Sequence, residues 1–369
     1  MKKVTSIAIG IILSIFLMVG CSTTDQKVED TVASTQEDTM ASTEEETIAS
    51  TEEDQIPSTE GDQLESSKTE ESKQIRVGAL KGPTAMGMAA LMTKDQEETD
   101  PVYNFSISAA IDEITTQLVK GDLDIAAVPA NLAAVLYNNT EGKVKVMAIN
   151  TLGVLDIVEN GNSISSIEDL RGKTIYATGK GATPEYALNY ILTSAGLIPG
   201  TDVTIEFKSE PAECVALLGE ENVVAMLPQP FVTTAQMKDE NIRIALNLTK
   251  EWDTVSEDSE QVSSLLTGVV VVRSDFLESS KEEVDRFLDG YQESIDDTNR
   301  DVEAASVMIE SFDIVPAAVG VKAIPDCNIV FIDGQEMKEQ LSGYLTVLLD
   351  QNPQAVGGKL PDDEFYYIR

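Results

Sequence analysis

The chain has 369 residues, with 64 acidic side chains against 26 basic ones, no histidine, and a formal charge of −38 at pH 7. An acidic excess of this size excludes the attraction to phosphate on which nucleic-acid binding and docking to anionic membrane surfaces rest. The missing histidines remove the commonest general base and the commonest transition-metal ligand, so enzyme functions start from a weak position.

Met1, Lys2 and Lys3 precede an apolar run from Ile7 to Val19. That run is too short for an ordinary membrane span and suits the core of a signal peptide. It ends in Leu17-Met-Val-Gly-Cys21, which resembles a bacterial lipobox, with Met18 a less usual residue three places before the cysteine. Residues 1–20 are therefore expected to be a signal peptide. Cys21 is expected to carry lipid and to hold the protein on the extracytoplasmic face of the cell membrane. An ordinary secretion signal or a single-span anchor is the alternative.

Residues 22–73 hold 16 acidic residues against Lys27, Lys68 and Lys73, and no aromatic residue. An eight-residue repeat opens at Ala33 and returns at Ala41, Ala49 and Pro57. A period of eight fits neither an α-helix nor a heptad, and low hydrophobicity with high charge predicts a disordered acidic tether over 21–73.

Residues 74–369 alternate between strand and helix patterns, which predicts an α/β fold. The strand Ile75–Leu80 runs into Lys81-Gly-Pro-Thr84 and a helix carrying Met86, Met88, Leu91 and Met92. Val102–Ile107 is extended. Ile111, Ile114, Leu118 and Val119 mark a helix that stops at Gly121. Leu123–Val128 is a buried strand ending in Pro129, and a short helix follows through Leu136 and Tyr137. Val144–Ile149 is a strand that crosses at Gly153 into extended Val154–Val158.

The scheme then repeats. The strand Thr174–Ala177 runs into Thr178-Gly-Lys-Gly-Ala-Thr183 and a helix from Pro184 to Gly196. Val203–Phe207 is a strand, Ala212–Leu218 a helix, and Val223–Leu227 a strand ending in Pro228. A helix follows Phe231, and Ile242–Leu246 is a further strand. Gly268–Val272 reads as the return crossing. Lys281–Asn299 is an amphipathic helix, followed by Ile329–Ile332 and the helix Gln335–Leu349. The expectation is two discontinuous lobes around a central cleft, 74–152 with 268–369 and 153–267, joined by short crossings.

The two Gly/Pro/Thr turns lie at strand C-termini and helix N-termini, where open α/β sheets bind ligands and free amides favour polar or anionic groups. Candidate ligand-binding residues are Lys81, Gly82, Pro83 and Thr84 in the first turn. Thr178, Gly179, Lys180, Gly181, Ala182 and Thr183 are their counterparts in the second. Asn131, Thr151 and Gln229 add neutral donors and acceptors. The glycines serve equally well as tight turns, both lysines as solvated charges, and Asn131 as a helix cap. Cys214 and Cys327 are expected to be two separate buried thiols, and Trp252 is expected to pack under a loop. There is no Gly-x-Ser-x-Gly nucleophile turn, and Gly172-Lys-Thr174 lacks the earlier glycine of a phosphate-binding loop.

Signal, lipobox, tether and repeated lobes together resemble a lipid-anchored solute-binding protein of an ABC importer. The resemblance is to the group for sulfonates, taurine, nitrate and thiamine-precursor pyrimidines. The matching stretches are Val77–Thr84, Leu123–Asn131, Asn150–Val154, Ala177–Tyr186 and Met226–Phe231. The resemblance implies a type II periplasmic-binding-protein fold that closes by hinge motion and delivers a small solute to membrane permease subunits. One departure is Asn222-Val223, where such proteins commonly open the strand with an acidic residue, as Asp124 does in the first lobe. The turns are poor in aromatic walls, which tilts the expectation from pyrimidines to a small polar or anionic solute. A monomer without cofactor, metal or nucleic acid is expected. A ligand-presenting surface sensor, or an extracytoplasmic enzyme on the same fold, is the alternative function.

Overall fold

The computed structural model describes residues 74–257 and 263–369. The expected signal peptide, lipidated Cys21 and acidic repeats lie outside the described residues.

The chain opens with β1 (Ile75–Leu80), in which Ile75, Val77 and Ala79 are buried. It continues as α1 (Pro83–Met86), α2 (Ala89–Gln96), β2 (Tyr103–Ser108), α3 (Ile111–Lys120), β3 (Ile125–Pro129), α4 (Ala130–Asn139) and β4 (Val144–Leu152). In α3 the local signals agree. Asp112 and Glu113 occupy the first turn, Ile114 and Leu118 form the buried stripe, and Gly121 ends the helix in the left-handed region at φ 82. Acidic residues complement the positive helix start, and glycine takes the left-handed position without strain.

After the first crossing come β5 (Leu155–Asn160), β6 (Thr174–Ala177), α5 (Thr183–Ser194), β7 (Thr204–Phe207), α6 (Pro211–Leu217), β8 (Val224–Pro228), α7 (Phe231–Lys238), β9 (Ile242–Asn247) and α8 (Leu248–Ser256). The chain returns as β10 (Leu266–Arg273). It closes with α9 (Ser274–Ser279), α10 (Lys281–Arg300), α11 (Val302–Ser311), α12 (Ala317–Ala323), β11 (Ile329–Asp333) and α13 (Gly334–Gln351).

Six strands form one sheet in the order β2-β1-β3-β10-β4-β11, and five form another in the order β7-β6-β8-β5-β9. β1 is parallel to β2 and β3, and β6 is parallel to β7 and β8. β10 and β5 run antiparallel to both their neighbours. The first five places of the two sheets thus repeat each other. The antiparallel strand in each is the one that has just crossed from the other lobe. A crossing strand starts where the parallel strands end, so it must run against them. Both crossing strands are buried: every residue of β5, and Val269 to Val272 in β10. β10 carries the apolar run expected of a strand covered on both faces, whereas β5 buries Asp156, Glu159 and Asn160 among its apolar residues.

Local details differ from the sequence expectations. α8 has no counterpart among them, because Leu248 and Trp252 are its only large buried side chains and give too short a periodic signal. Its start is fixed by Asn247, whose side chain accepts from Lys250 N at 3.1 Å. Trp252 therefore lies on a helix, and its Nε1 donates to Ser263 Oγ at 3.2 Å in the stretch before β10. β10 begins at Leu266, two residues before Gly268. Asn131 stands in the first turn of α4 behind an N-cap at Pro129, so it is not the cap.

The Asn222-Val223 departure has a structural counterpart. In the first lobe, Asp124 is buried and accepts from Arg76 N at 3.0 Å and Arg76 Nε at 2.8 Å, with Arg273 of β10 at 3.8 Å. In the second lobe a buried carboxylate in an ion pair is Glu159 on β5, paired with Arg243 of β9. Burial pushes the Glu159 carboxyl up, but the amides of Ile164 and Ser163, the Ser163 hydroxyl and Arg243 outweigh it and hold the group below the usual range.

The crossing from β4 to β5 is only Gly153 and Val154. A Cβ at Gly153 would stand 2.2 Å from Thr249 Oγ1 and 2.9 Å from Leu265 Cδ2, so both crossings meet at this residue. Gly153→Ala is expected to destabilise the fold by about 1–3 kcal/mol through overpacking. A urea midpoint equal to that of the wild type would show that the crossings are not packed as described.

Just beyond, Asp156 is buried and its Oδ1 accepts from Asn247 Nδ2 at 2.8 Å. Burial pushes its carboxyl up to about 7; the Asn247 bond and Lys250 oppose the shift, and Asp326 adds to it. From about pH 4, the ordinary carboxyl value, to about 7, the folded chain keeps a proton that the unfolded chain has released. This group's contribution to stability is therefore complete below that window and falls as pH rises through it. Asp156→Asn keeps the acceptor without the charge. It is expected to gain on the order of 1–3 kcal/mol over wild type at pH 8 and to lose that gain below about pH 4. Melting curves that differ equally at both pH values would contradict the assignment.

Candidate functional site

Strands of both lobes end at one cavity of about 330 Å³. Leu80 and Pro129 end β1 and β3, and Pro228 ends β8. Thr84 comes from α1, Ile111 from the start of α3, and Asn131 and Leu132 from the start of α4. Ala182, Thr183 and Pro184 come from the turn after β6 and the start of α5. Val154, Leu155 and Thr267 come from the two crossings. The helix dipoles of α3, α4 and α5 place positive ends at the cleft, with the Glu113 and Glu185 amides already donating to Ala110 O at 3.2 Å and Ala182 O at 3.1 Å.

Four of the sequence-predicted residues, Thr84, Asn131, Ala182 and Thr183, meet in this cavity. The others do not line it, for identifiable reasons. Lys81 Nζ lies 3.3 Å from Asp313, a surface carboxylate more than two hundred residues away in the chain, so its charge is committed elsewhere. Lys180 is exposed to solvent. Gly82, Gly179 and Gly181 have φ of 125, 78 and 74 and serve the turns, with Pro83 opening α1. The Gly181 amide, in the turn before α5, donates to the Glu185 carboxylate of that helix and so already has an anionic acceptor.

Thr151 and Thr178 are buried. Thr151 Oγ1 donates to Asn150 Oδ1 at 3.2 Å inside the lobe. Gln229 is buried and its Oε1 accepts from Thr233 N at 3.3 Å and Thr233 Oγ1 at 2.9 Å, bracing the start of α7. Its Nε2 has no partner among the described residues.

Sequence reasoning missed three features. The first is the apolar wall of Leu80, Ile111, Leu132 and Leu155, which reads in the sequence only as core. The second is Asn150, whose Nδ2 donates to Thr84 O at 3.1 Å and to Tyr291 Oη at 3.0 Å, tying the first turn to the sheet and to α10. The third is a hydrogen-bonded chain between the lobes. Tyr344 Oη of α13 donates to Thr183 Oγ1 at 3.2 Å, and Thr183 Oγ1 donates to Asn131 Oδ1 at 3.2 Å. Beside it, Asn352 Nδ2 donates to Tyr186 Oη at 2.9 Å, which donates to Gly181 O at 3.0 Å. Trp252 is fully buried between Tyr190 and Tyr344, at ring distances of 4.5 and 5.8 Å. No local motif marks Tyr344; only the tertiary fold brings α13 onto α5 and α8.

The cavity has no ionisable side chain among its described lining residues. Cys214 and Cys327 are free and buried, as expected. Burial pushes both thiols up, Cys327 to about 12 with help from Asp326 and Asp156, which leaves neither poised as a nucleophile. Among the described residues no cluster of His, Cys, Asp or Glu could hold a metal ion. A larger groove of about 650 Å³ lies at the far end of the first lobe, around Gly121, Val144 and Arg273. It draws on one lobe only, and its Arg273 is already bound to Asp275 at 2.6 Å. The cleft between the lobes is the better-built site.

Comparison with known proteins agrees with this architecture. No curated protein matches the chain. Among solved structures, an ABC transporter protein from Parabacteroides distasonis is 24% identical with a TM-score of 0.66, covering 80% of this chain and 98% of its own. The periplasmic aliphatic sulphonate binding protein SsuA from Escherichia coli is 15% identical with a TM-score of 0.63, covering 80% and 92%. The alkanesulfonate-binding protein SsuA from Xanthomonas axonopodis pv. citri, bound to MOPS, is 14% identical with a TM-score of 0.56, covering 78% and 94%. At these identities the likeness is one of fold, the two-lobed periplasmic-binding-protein fold. A family model described as the periplasmic substrate-binding protein of a phosphonate ABC transporter matches residues 85–315, more than half of the sequence. The chain therefore belongs to this family of ABC-transporter substrate-binding proteins.

Proposed function

We propose that the chain captures a small polar or anionic solute in the cleft between its lobes and delivers it to the permease subunits of an ABC importer. The observation that carries this is the cavity built from strand ends and helix starts of both lobes. Relatives named for aliphatic sulphonate and alkanesulfonate binding share the fold. A polar head against the helix starts and a short body against Leu80, Ile111 and Leu132 suit this geometry.

The moving bodies are residues 74–152 with 268–369, and 153–267, turning about Gly153 and the segment before Gly268. Binding draws them together, because the ligand touches both walls at once. The protein acts as a monomer on the outer face of the membrane, held through lipid on Cys21. The lipobox supports that anchor, and among the described residues no helix is long and apolar enough to cross a membrane.

A thermal-shift screen of sulfonates, phosphonates, pyrimidines and amino-acid-like solutes tests capture. A solute at a hundredfold excess over its Kd stabilises by about 2.7 kcal/mol. Leu132→Trp, which fills the cavity from the half-buried start of α4, is expected to remove that shift while the unliganded protein still melts cooperatively. Retention of the full shift in Leu132→Trp would move the solute out of the cleft.

The anchor is tested separately. Cys21→Ser is expected to shift the protein from the membrane fraction to the soluble extracytoplasmic fraction and to abolish labelling by a fatty-acid analogue. An unchanged membrane fraction would rule out lipid at Cys21.

A further inference from the structure

We infer that the preferred solute is uncharged, with a largely apolar body and one hydrogen-bonding group, and that Thr267 is the side chain that recognises that group. This rests on the cleft being the solute site and narrows the polar-or-anionic class to one kind of molecule.

Nine of the thirteen described lining residues are aliphatic or proline, and none is ionisable. The remaining four are Thr84, Asn131, Thr183 and Thr267. Three of these are already committed within the protein. Thr84 Oγ1 donates to Leu80 O at 2.7 Å. Asn131 donates to Ala355 O at 3.2 Å and accepts from Thr183. Thr183 donates to Asn131 and accepts from Tyr344. The Thr267 hydroxyl alone has no partner among the described residues, and it stands half-buried at the start of β10, in the wall of the cavity. A solute therefore finds one side-chain group with no internal partner, beside the second Nδ2 hydrogen of Asn131, the acceptor lone pairs of Thr84 and the backbone amides of the helix starts.

The charge distribution argues against an anion. Neither lysine of the turns lines the cavity: Lys81 pairs with Asp313 at the surface and Lys180 is exposed to solvent. Glu185 places a carboxylate on the Gly181 amide at the start of α5, where its charge repels a second anion. The segment from residue 74 to the C-terminus carries a formal charge of −27. An anion entering an apolar cleft in such a field loses its hydration without gaining a cationic partner, and a dianion does so twice over. Helix-start amides offset only a modest part of that loss. An uncharged group gives up far less on entering, and the apolar walls reward its body in proportion to the area covered.

Isothermal titration of the purified full chain with pentanamide, butanesulfonate and butylphosphonate, which share an alkyl tail, tests the inference. Pentanamide is expected to bind tightest, and butylphosphonate is expected to weaken further as pH rises through its second ionisation. Thr267→Val is expected to weaken pentanamide by about 3–10-fold, the worth of one net hydrogen bond. Thr267→Ser is expected to restore the affinity, which separates recognition from packing. Tighter binding of either anion than of the amide overturns the inference, as does undiminished amide binding by Thr267→Val. If none of the three binds, the inference falls. The cleft itself then still stands or falls by whether Leu132→Trp removes the shift given by a solute from the wider screen.

Discussion

Each sheet of this protein is completed by a strand that belongs to the other half of the chain. β10 lies between β3 and β4, and β5 lies between β8 and β9, each antiparallel to both neighbours. Neither lobe can close its sheet without the crossing strand, and the crossing strand can enter only where the parallel strands end. The cavity follows from that constraint. The ends of β1, β3 and β8 and the starts of α3, α4 and α5 are brought to the one region where the chain passes twice between lobes. The fold is thus built around its crossings, and the cavity occupies the gap the crossings leave.

That origin explains how much could be read from sequence. The repetition of strand, Gly/Pro/Thr turn, helix and proline-terminated strand is a local pattern, so it survives in sequence and predicts two similar lobes. The right-handed crossover rule adds the hand of each strand–helix–strand unit, while the strand order comes from the pairing in the folded protein. That Lys81 does not line the cavity could not be read locally, because an ion pair is not local. Lys81 answers to Asp313 on the far limb of the same lobe, and nothing within the turn reveals it. Glu185 was the opposite case. It stands four residues beyond Gly181, and a carboxylate at that spacing can reach back to the helix start. Asn150 was beside the chosen Thr151, but which of two adjacent polar residues in a strand faces the turn depends on register, and the bulged pairing of β4 with β10 obscures it.

The contact between lobes is a mixture of strong burial and weak polar bonds. Trp252 is packed between aromatic rings from both lobes, while Asn131, Thr183 and Tyr344 join them through single neutral hydrogen bonds. Each such bond is worth about 1 kcal/mol net, because water replaces it when the lobes part. Burial of an aromatic pair is not exchanged so cheaply. The lobes are therefore held more firmly through the aromatic contact than through the polar chain at the cleft side.

The terminal prolines of the two second strands fit this division between scaffold and site. Pro129 and Pro228 occupy matching places, each at the last position of a strand and in the wall of the cavity. A strand that ends at a cavity normally leaves a peptide N–H pointing at whatever fills it, and a buried N–H without an acceptor is costly. Proline has no N–H, so it ends the strand without a stranded donor, and its ring adds apolar surface in the same place. The same residue that punctuates the sequence thus sets the chemical character of the wall. The polarity of this cleft is decided by the few side chains placed between such positions, which is why the fold can be shared widely while the solute is a property of this chain alone.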